Sequence, residues 1–237
     1  MIEKVRKLVY EILKNDNSGH GIDHIDRVLR LSLKFAEYEQ CDVKIVILAA
    51  LLHDVDDYKL FGKENAKELT NAKIILNFVG AGDDTSKKII TIIQTMGYSN
   101  YLKGIRPETI EGKIISDADM CDALGACGIL RSYAYNIKKG RPFFDKDKWP
   151  MENITAENYD LPSSSSVCHM FEKILRLKGL MMTSCGRKEA IQRHQIIEDF
   201  LYQLFIEEDA MDWVDYLEKF NKKENERIEK ILTNHKY

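Results

Sequence analysis

The feature that most constrains this chain is the position of its first proline, Pro107. Everything before it lacks the residue that removes a backbone donor and clashes inside helices, so the first part of the chain is free to run as long helical segments. Only 4 prolines and 13 glycines occur in 237 residues, and apolar residues recur at helical spacing along most of the length. The spacing predicts helices over 2–15, from about Asp23 (as a capping residue) through Ala36, over Asp42–Val55, 64–78 and 84–96, then along the lines Ile110, Ile114, Ala118, Cys121, Gly125 and Ile115, Asp119, Asp122, Ala126. Gly125 and Gly128 either end that last helix or allow a close helix contact. Periodicity returns at 167–181, 187–206 and 209–233. Between them, residues 138–166 hold three of the four prolines and no durable period, which suits a surface connection, a lid or an interface. The expected fold is all-α, a compact helical bundle forming a single domain over 1–237, with no linker or repeat to divide it.

Composition narrows the function classes. A 44% hydrophobic content suits a chain that buries a substantial core, and 31% charged residues with a net charge of -3 leave no broad basic field. Duplex nucleic acid is therefore not an expected partner; clusters such as Lys138-Lys139 with Arg141 are short and lie among acids. The most apolar stretch, Val43 to Leu52, contains Lys44 and closes at His53-Asp54, too short to span a bilayer. No membrane partner is expected, the start lacks a signal-peptide core, and cytoplasmic placement is the default. The 5 cysteines form no Cys-x-x-Cys pair, which argues for reduced packing residues rather than disulfides or a cysteine zinc module. Composition says nothing of oligomeric state.

Two helical faces end in charge where apolar residues belong. His53-Asp54 closes the run Ile45-Val46-Ile47-Leu48-Ala49-Ala50-Leu51-Leu52, and Asp119 interrupts the face that carries Ile115. A buried unpaired carboxylate is costly and needs a cation, strong hydrogen bonds or water. With His24 in a first helical turn, the chain offers two imidazoles and two carboxylates, a set suited to one divalent ion of manganese, iron, cobalt, nickel or zinc, and less clearly magnesium. Residue chemistry alone leaves this open against a capping residue combined with a buried ion-pair network.

Three ordered motifs add to this. Gly19-His20-Gly21-Ile22-Asp23-His24-Ile25-Asp26-Arg27-Val28 resembles the His-x-x-x-His-x-x-Arg-Val opening of the HD superfamily of metal-dependent phosphohydrolases, and Ala49-Ala50-Leu51-Leu52-His53-Asp54 resembles its central signature. The third is Glu111-Gly112-Lys113-Ile114-Ile115-Ser116-Asp117-Ala118-Asp119 followed by Asp122-Ala123-Leu124-Gly125. The resemblance covers about 20–131 and implies an HD-like helical bundle with His24, His53, Asp54 and Asp119 as ligands of a single divalent metal. It implies hydrolysis of a nucleotide or other small phosphorylated compound by a metal-activated water. The chain departs from the family pattern at Met96, where many relatives of this subgroup carry histidine, and at Met120, where arginine commonly follows the acid. These departures keep a second class open, a metal-containing nucleotide or phosphometabolite sensor without turnover, beside a third, a structural helical module.

The resemblance also suggests roles around the metal. Asp57, three residues after Asp54, is a candidate to orient the attacking water if the helix continues past His53. Arg27, Lys113 and Arg131 are candidates to meet phosphate charge, with Arg27 equally able to hold a ligand carboxylate. His20, Met96 and Asp122 are candidates to support a ligand or touch substrate.

Overall fold

The computed structural model describes residues 1–16, 21–159 and 161–234, apart from the side chains of Lys59 and 231–234. Among the described residues there are helices and no strands, as the all-α expectation requires. The chain divides into two compact units, Met1–Asp122 and Ala123–Tyr237, a division for which the sequence carries no linker signal.

The first unit holds α1 (Ile2–Leu13), α2 (Ile22–Ala36), α3 (Val43–Leu52), α4 (Tyr58–Glu68), α5 (Thr70–Phe78), α6 (Asp83–Thr95), α7 (Tyr98–Leu102) and α8 (Ile110–Asp122). α3 is its axis. Ile45, Val46, Leu48, Ala49, Ala50, Leu51 and Leu52 are all buried, so this helix is apolar on every side and is surrounded by others. α1, α2, α6 and α8 pack against it, and α2 also packs along α8. Asp42 caps α3 by accepting from the amides of Lys44 (2.9 Å) and Ile45 (3.3 Å). The Asp42 amide in turn donates to Glu111 Oε1 at 2.8 Å, which joins the start of α3 to the start of α8. With those two starts together, the distal parts of both helices carry the histidine and acids of the three motifs.

Local chemistry shifts several predicted boundaries. α2 begins one residue after Gly21, its N-cap, and Asp23 lies within the first turn rather than capping it. α3 ends at Leu52 instead of Val55, and 53–56 forms tight turns in which Val55 donates to Leu52 and Asp57 to Asp54. The single helix expected over 64–78 is divided at Leu69, which adopts a left-handed backbone (φ 52°) that a helix interior does not accommodate. α4 is itself broken at Gly62, whose φ is 86°.

The second unit contains α9 (Gly125–Lys138), α10 (Ser166–Glu172), a 3₁₀ segment (Ile174–Leu180), α11 (Ser184–Glu207) and α12 (Met211–Asn234). Of the two roles open for Gly125, close helix contact is the one the structure supports: at φ 74° it opens α9 after the break that ends α8, and a Cβ there would stand 3.2 Å from the Arg193 side chain on the helix Ser184–Glu207. A Cβ at Gly128 would stand 2.1 Å from the Ala123 carbonyl, so the close approach is to the preceding loop rather than to another helix. The core of this unit is aromatic, with Trp213, Phe171 and Phe205 fully enclosed.

Among the described residues no helix lies between Lys138 and Ser166, in keeping with the irregular stretch read from the prolines. The stretch is nonetheless pinned. Trp149 stacks on Trp213 with centroids 4.3 Å apart, Phe144 packs on Phe205 at 5.3 Å, and the Trp213 indole donates to the Lys146 carbonyl at 3.1 Å. Movement of this stretch as a lid would require those contacts to be released. No described helix is long and apolar enough to cross a membrane.

Candidate metal centre

His24 projects from the first turn of α2, His53 and Asp54 from the turn that ends α3, and Asp119 and Asp122 from the last turns of α8. The apolar packing of α2, α3 and α8 brings these positions together although they are remote in sequence. His24 Nε2 lies 3.0 Å from His53 Nε2, 3.2 Å from Asp54 Oδ2 and 3.5 Å from Asp119 Oδ1. His53 Nε2 lies 3.6 Å from Asp54 Oδ2 and 3.9 Å from Asp119 Oδ1. Ligand atoms of His24, His53 and Asp119 all fall within 4.8 Å of one another, a spread that can hold one ion.

The far sides of the two rings decide what the near sides offer. His53 Nδ1 is 2.9 Å from the Ala50 carbonyl, which can only accept, so Nδ1 carries the proton. His24 Nδ1 is 2.7 Å from Asp122 Oδ2, again an acceptor, and the same reasoning places a proton on it. In the neutral tautomers both Nε2 atoms therefore present lone pairs to the same small space, beside two carboxylate oxygens. Without a positive charge these acceptors repel one another. A divalent cation held by His24, His53 and Asp119 would satisfy them, with Asp54 Oδ2 beside it, and a donor set of nitrogens and carboxylate oxygens fits the transition ions named above.

Asp122 is the organiser of this arrangement. Its carboxylate is fully buried and accepts a two-point bond from Arg27, Nε to Oδ1 at 2.6 Å and Nη2 to Oδ2 at 3.0 Å. Asp122 Oδ2 thus meets both the Arg27 guanidinium and the His24 ring, which fixes the ring's direction as well as its tautomer. Of the two roles open for Arg27, holding a carboxylate is the one its geometry displays. One residue earlier, Asp26 accepts from Tyr10 (2.5 Å) and Arg6 (3.1 Å) and so ties the start of α2 to α1. Burial, and then the bond to Asp26, push the Tyr10 hydroxyl above its usual range and keep it a donor.

Exposure is uneven across the cluster. The two imidazoles are about 2% exposed, Asp54 15% and Asp119 28%, so the open edge lies on the carboxylate side. The cluster thus meets solvent on that side, while both imidazoles are enclosed.

The other predicted residues are placed as follows. Asp57 lies beyond the end of α3, so the continuous helix that would carry it one turn past Asp54 is absent; a tight turn joins the two instead, Asp57 amide to Asp54 carbonyl at 3.1 Å. Lys113 is on α8, six residues before Asp119, about 9 Å along the axis. Met96 ends α6 as a buried apolar residue, its carbonyl accepting from Asn100 at 2.8 Å. Arg131 belongs to α9 in the second unit. His20 lies outside the described residues.

Two residues escaped the sequence reading. Asp56 is 3% exposed, accepts from the Asn71 and Ala72 amides at 2.8 and 2.9 Å, and is met by Asn65 Nδ2 at 3.3 Å. Asn71 Nδ2 donates to the Val55 carbonyl at 2.8 Å. An acid two residues after the His-Asp pair is a visible signal for Asp56, but nothing in the pattern marks Asn71.

The family profile described as HD domain matches residues 21–124, the stretch that carries every residue of the cluster. The uncharacterized protein YpgQ of Bacillus subtilis is 34% identical over 205 residues, spanning 85% of this chain and 91% of that protein. A crystal structure of YpgQ in complex with ADP superposes with a TM-score of 0.67 at 30% identity, covering 87% of this chain and 97% of the other. A Lactobacillus plantarum structure reaches a TM-score of 0.78 at 31% identity over 88% and 97% of the two chains. An HD-superfamily hydrolase from Bacillus thuringiensis gives 0.67 at 34% identity, also over 88% and 97%.

Proposed function

The chain belongs to the HD superfamily, and from that premise we propose that it is a metal-dependent phosphohydrolase acting on a nucleotide or another small phosphorylated metabolite. The family supports a metal-dependent hydrolase in general. The finer reading rests on one observation: four acceptor atoms from His24, His53, Asp54 and Asp119 converge with their open edge toward solvent. The ADP complex of YpgQ supports a nucleotide as the substrate class.

His24, His53, Asp54 and Asp119 would hold the ion, which when bound supplies Lewis-acid activation of a phosphoryl group and a water. The protein's own contribution is orientation. Asp122, charged and pinned by Arg27, keeps the His24 proton on Nδ1; the Ala50 carbonyl does the same for His53. Both rings are therefore prepared as lone-pair donors before any substrate arrives. Asp57, held near Asp54 by the turn, is the carboxylate we assign to accepting a proton from the attacking water. Arg27 is committed to Asp122 and is not assigned to the phosphate, which leaves Lys113 as the cation on α8 to meet it.

The test is elemental analysis of protein purified without added metal, followed by turnover of nucleoside mono-, di- and triphosphates and simple phosphoesters with manganese, cobalt, nickel, zinc and magnesium. One bound ion per chain with release of phosphate or pyrophosphate is the expected result. Nucleotide binding without product would point instead to the sensor class, and protein that takes up none of these ions would overturn the reading.

A further inference from the structure

The sequence after the ligand pair has an unusual mechanical setting. α4 follows within a few residues of Asp54, yet none of its described side chains is buried, and Gly62 interrupts it. An element so sparsely packed opens more readily than its neighbours. The turn at 53–56 is not helical either, so its direction is not secured by the hydrogen-bond ladder of α3. Two metal ligands thus sit between a rigid helix and a loosely held one. The Ala50 carbonyl holds the His53 ring, but the backbone that carries His53 and Asp54 out of α3 needs a further tie.

We propose that Asp56 and Asn71 form a latch that positions His53 and Asp54, making both of them positioning residues for the metal centre; the inference rests on the metal reading given above. Asp56 Oδ1 accepts from the Asn71 amide and Oδ2 from the Ala72 amide, while Asn71 returns a bond from its side chain to the Val55 carbonyl. The two residues that follow the ligand pair are therefore tied from both directions to the start of α5. α5 is anchored by Ala72, Ile75 and Leu76, all buried. The latch thus transfers the rigidity of a packed helix to a turn that has little of its own. Asn65 Nδ2 also reaches Asp56, so α4 is attached at the same carboxylate rather than at the ligands themselves.

Leu69 supports this reading. It is buried and holds φ 52° and ψ 50°, a conformation that costs a side chain with a Cβ and survives only where its surroundings require it. Immediately after that bend come the amides of Asn71 and Ala72, which meet the two oxygens of Asp56. The strained residue turns the chain so that consecutive donors face one buried acceptor pair, and the acceptor pair satisfies donors that a helix start leaves without intrahelical partners. Asp56 is thereby satisfied as a carboxylate, and it needs no share of the metal.

The experiment compares Asn71→Ala, Asp56→Asn and, as a control for lost packing in the same helix, Leu76→Ala. Two measurements are made on each full-length protein: cobalt(II) affinity with its visible ligand-field spectrum, and the imidazole nitrogen resonances of His53 in metal-free protein. Asn71→Ala keeps both amides on Asp56 and removes only the tie to Val55, so it remains informative if Asp56→Asn does not fold. The latch predicts roughly tenfold or greater weakening of cobalt binding in the latch variants, in the range that supporting residues of metal sites show, together with an altered spectrum and displaced His53 resonances. Leu76→Ala should lower the melting temperature without either change. Wild-type His53 resonances in a folded Asn71→Ala protein, or equal displacement in Leu76→Ala, would overturn the latch. A wild-type protein that binds no cobalt would instead defeat the metal reading, and the metal-free resonances would still decide whether the latch positions His53.

Discussion

Both units bury polar side chains, but they use them in opposite ways. In the second unit the buried carboxylates and the buried imidazole are turned toward complementary partners: Glu224 meets Arg227 at 3.0 Å and Arg176 at 3.6 Å, Glu172 accepts from the Met151 amide at 3.0 Å and from the Ser163 hydroxyl, and His194 bonds the Leu175 carbonyl at 3.1 Å. Around them Phe144, Phe171, Phe205 and Trp213 supply area and shape. In the first unit, Asp122 is paired in the same manner, but its pairing aims His24 at three further acceptors. Satisfied polar groups hold a fold together, whereas a convergence of like partners calls for a ligand. The difference locates the chemistry in the first unit.

The contrast can be broken most directly at the ligands. His53→Ala and Asp119→Ala should each take metal content from about one ion per chain to nearly none while far-ultraviolet circular dichroism stays helical, because each loses an inner-sphere contact. Unchanged stoichiometry in both folded variants would remove the distinction between the units. The converse experiment is Trp213→Ala. Deleting a buried tryptophan of this kind costs about 3–5 kcal/mol, read as a lower denaturant midpoint, with the metal content of the folded protein preserved.

Smaller changes sharpen the comparison. Asp122→Asn leaves the shape of the side chain but weakens its hold on the His24 ring and on Arg27, and metal affinity should fall about 10- to 100-fold by isothermal titration. If affinity is unaffected, the orienting role of Asp122 is wrong. Asp57→Asn should reduce kcat while leaving metal content and KM nearly as they were, which separates a water-orienting group from a ligand. The smallest effect belongs to the second unit. Burial raises the Cys168 thiol above its ordinary range, so its neutral form is favoured in the folded state. The stability this contributes is complete below the unfolded thiol's pKa, about 8.5, and is lost as pH rises through the higher folded value. Cys168→Ala should therefore show a shallower alkaline decline in urea midpoint than wild type, with metal binding unchanged; equal declines would mean that Cys168 does not contribute.

Much was readable before folding was considered. Absence of proline before Pro107 and the repeat of apolar residues determined an all-helical chain, and three ordered motifs singled out His24, His53, Asp54 and Asp119. Helical periodicity gives the angle at which a side chain leaves its own helix, so it could reveal that Asp119 interrupts an apolar face. It carries no information on which residue stands across a gap. Lys113 flanks the third motif in sequence, and helix rise sets its backbone about 9 Å along α8 from Asp119. Arg27 and Asp122 were separate candidates, and only the packing of α2 on α8 joins them across 95 positions and so selects the proton on His24. Likewise, the early end of α3 and the left-handed Leu69 brought Asn71 against Val55. The sequence alone determined the helices and the residues able to bind a metal; tertiary packing decided which atoms face one another, because hydrogen-bond partners and tautomers depend on distances between helices that no local pattern encodes.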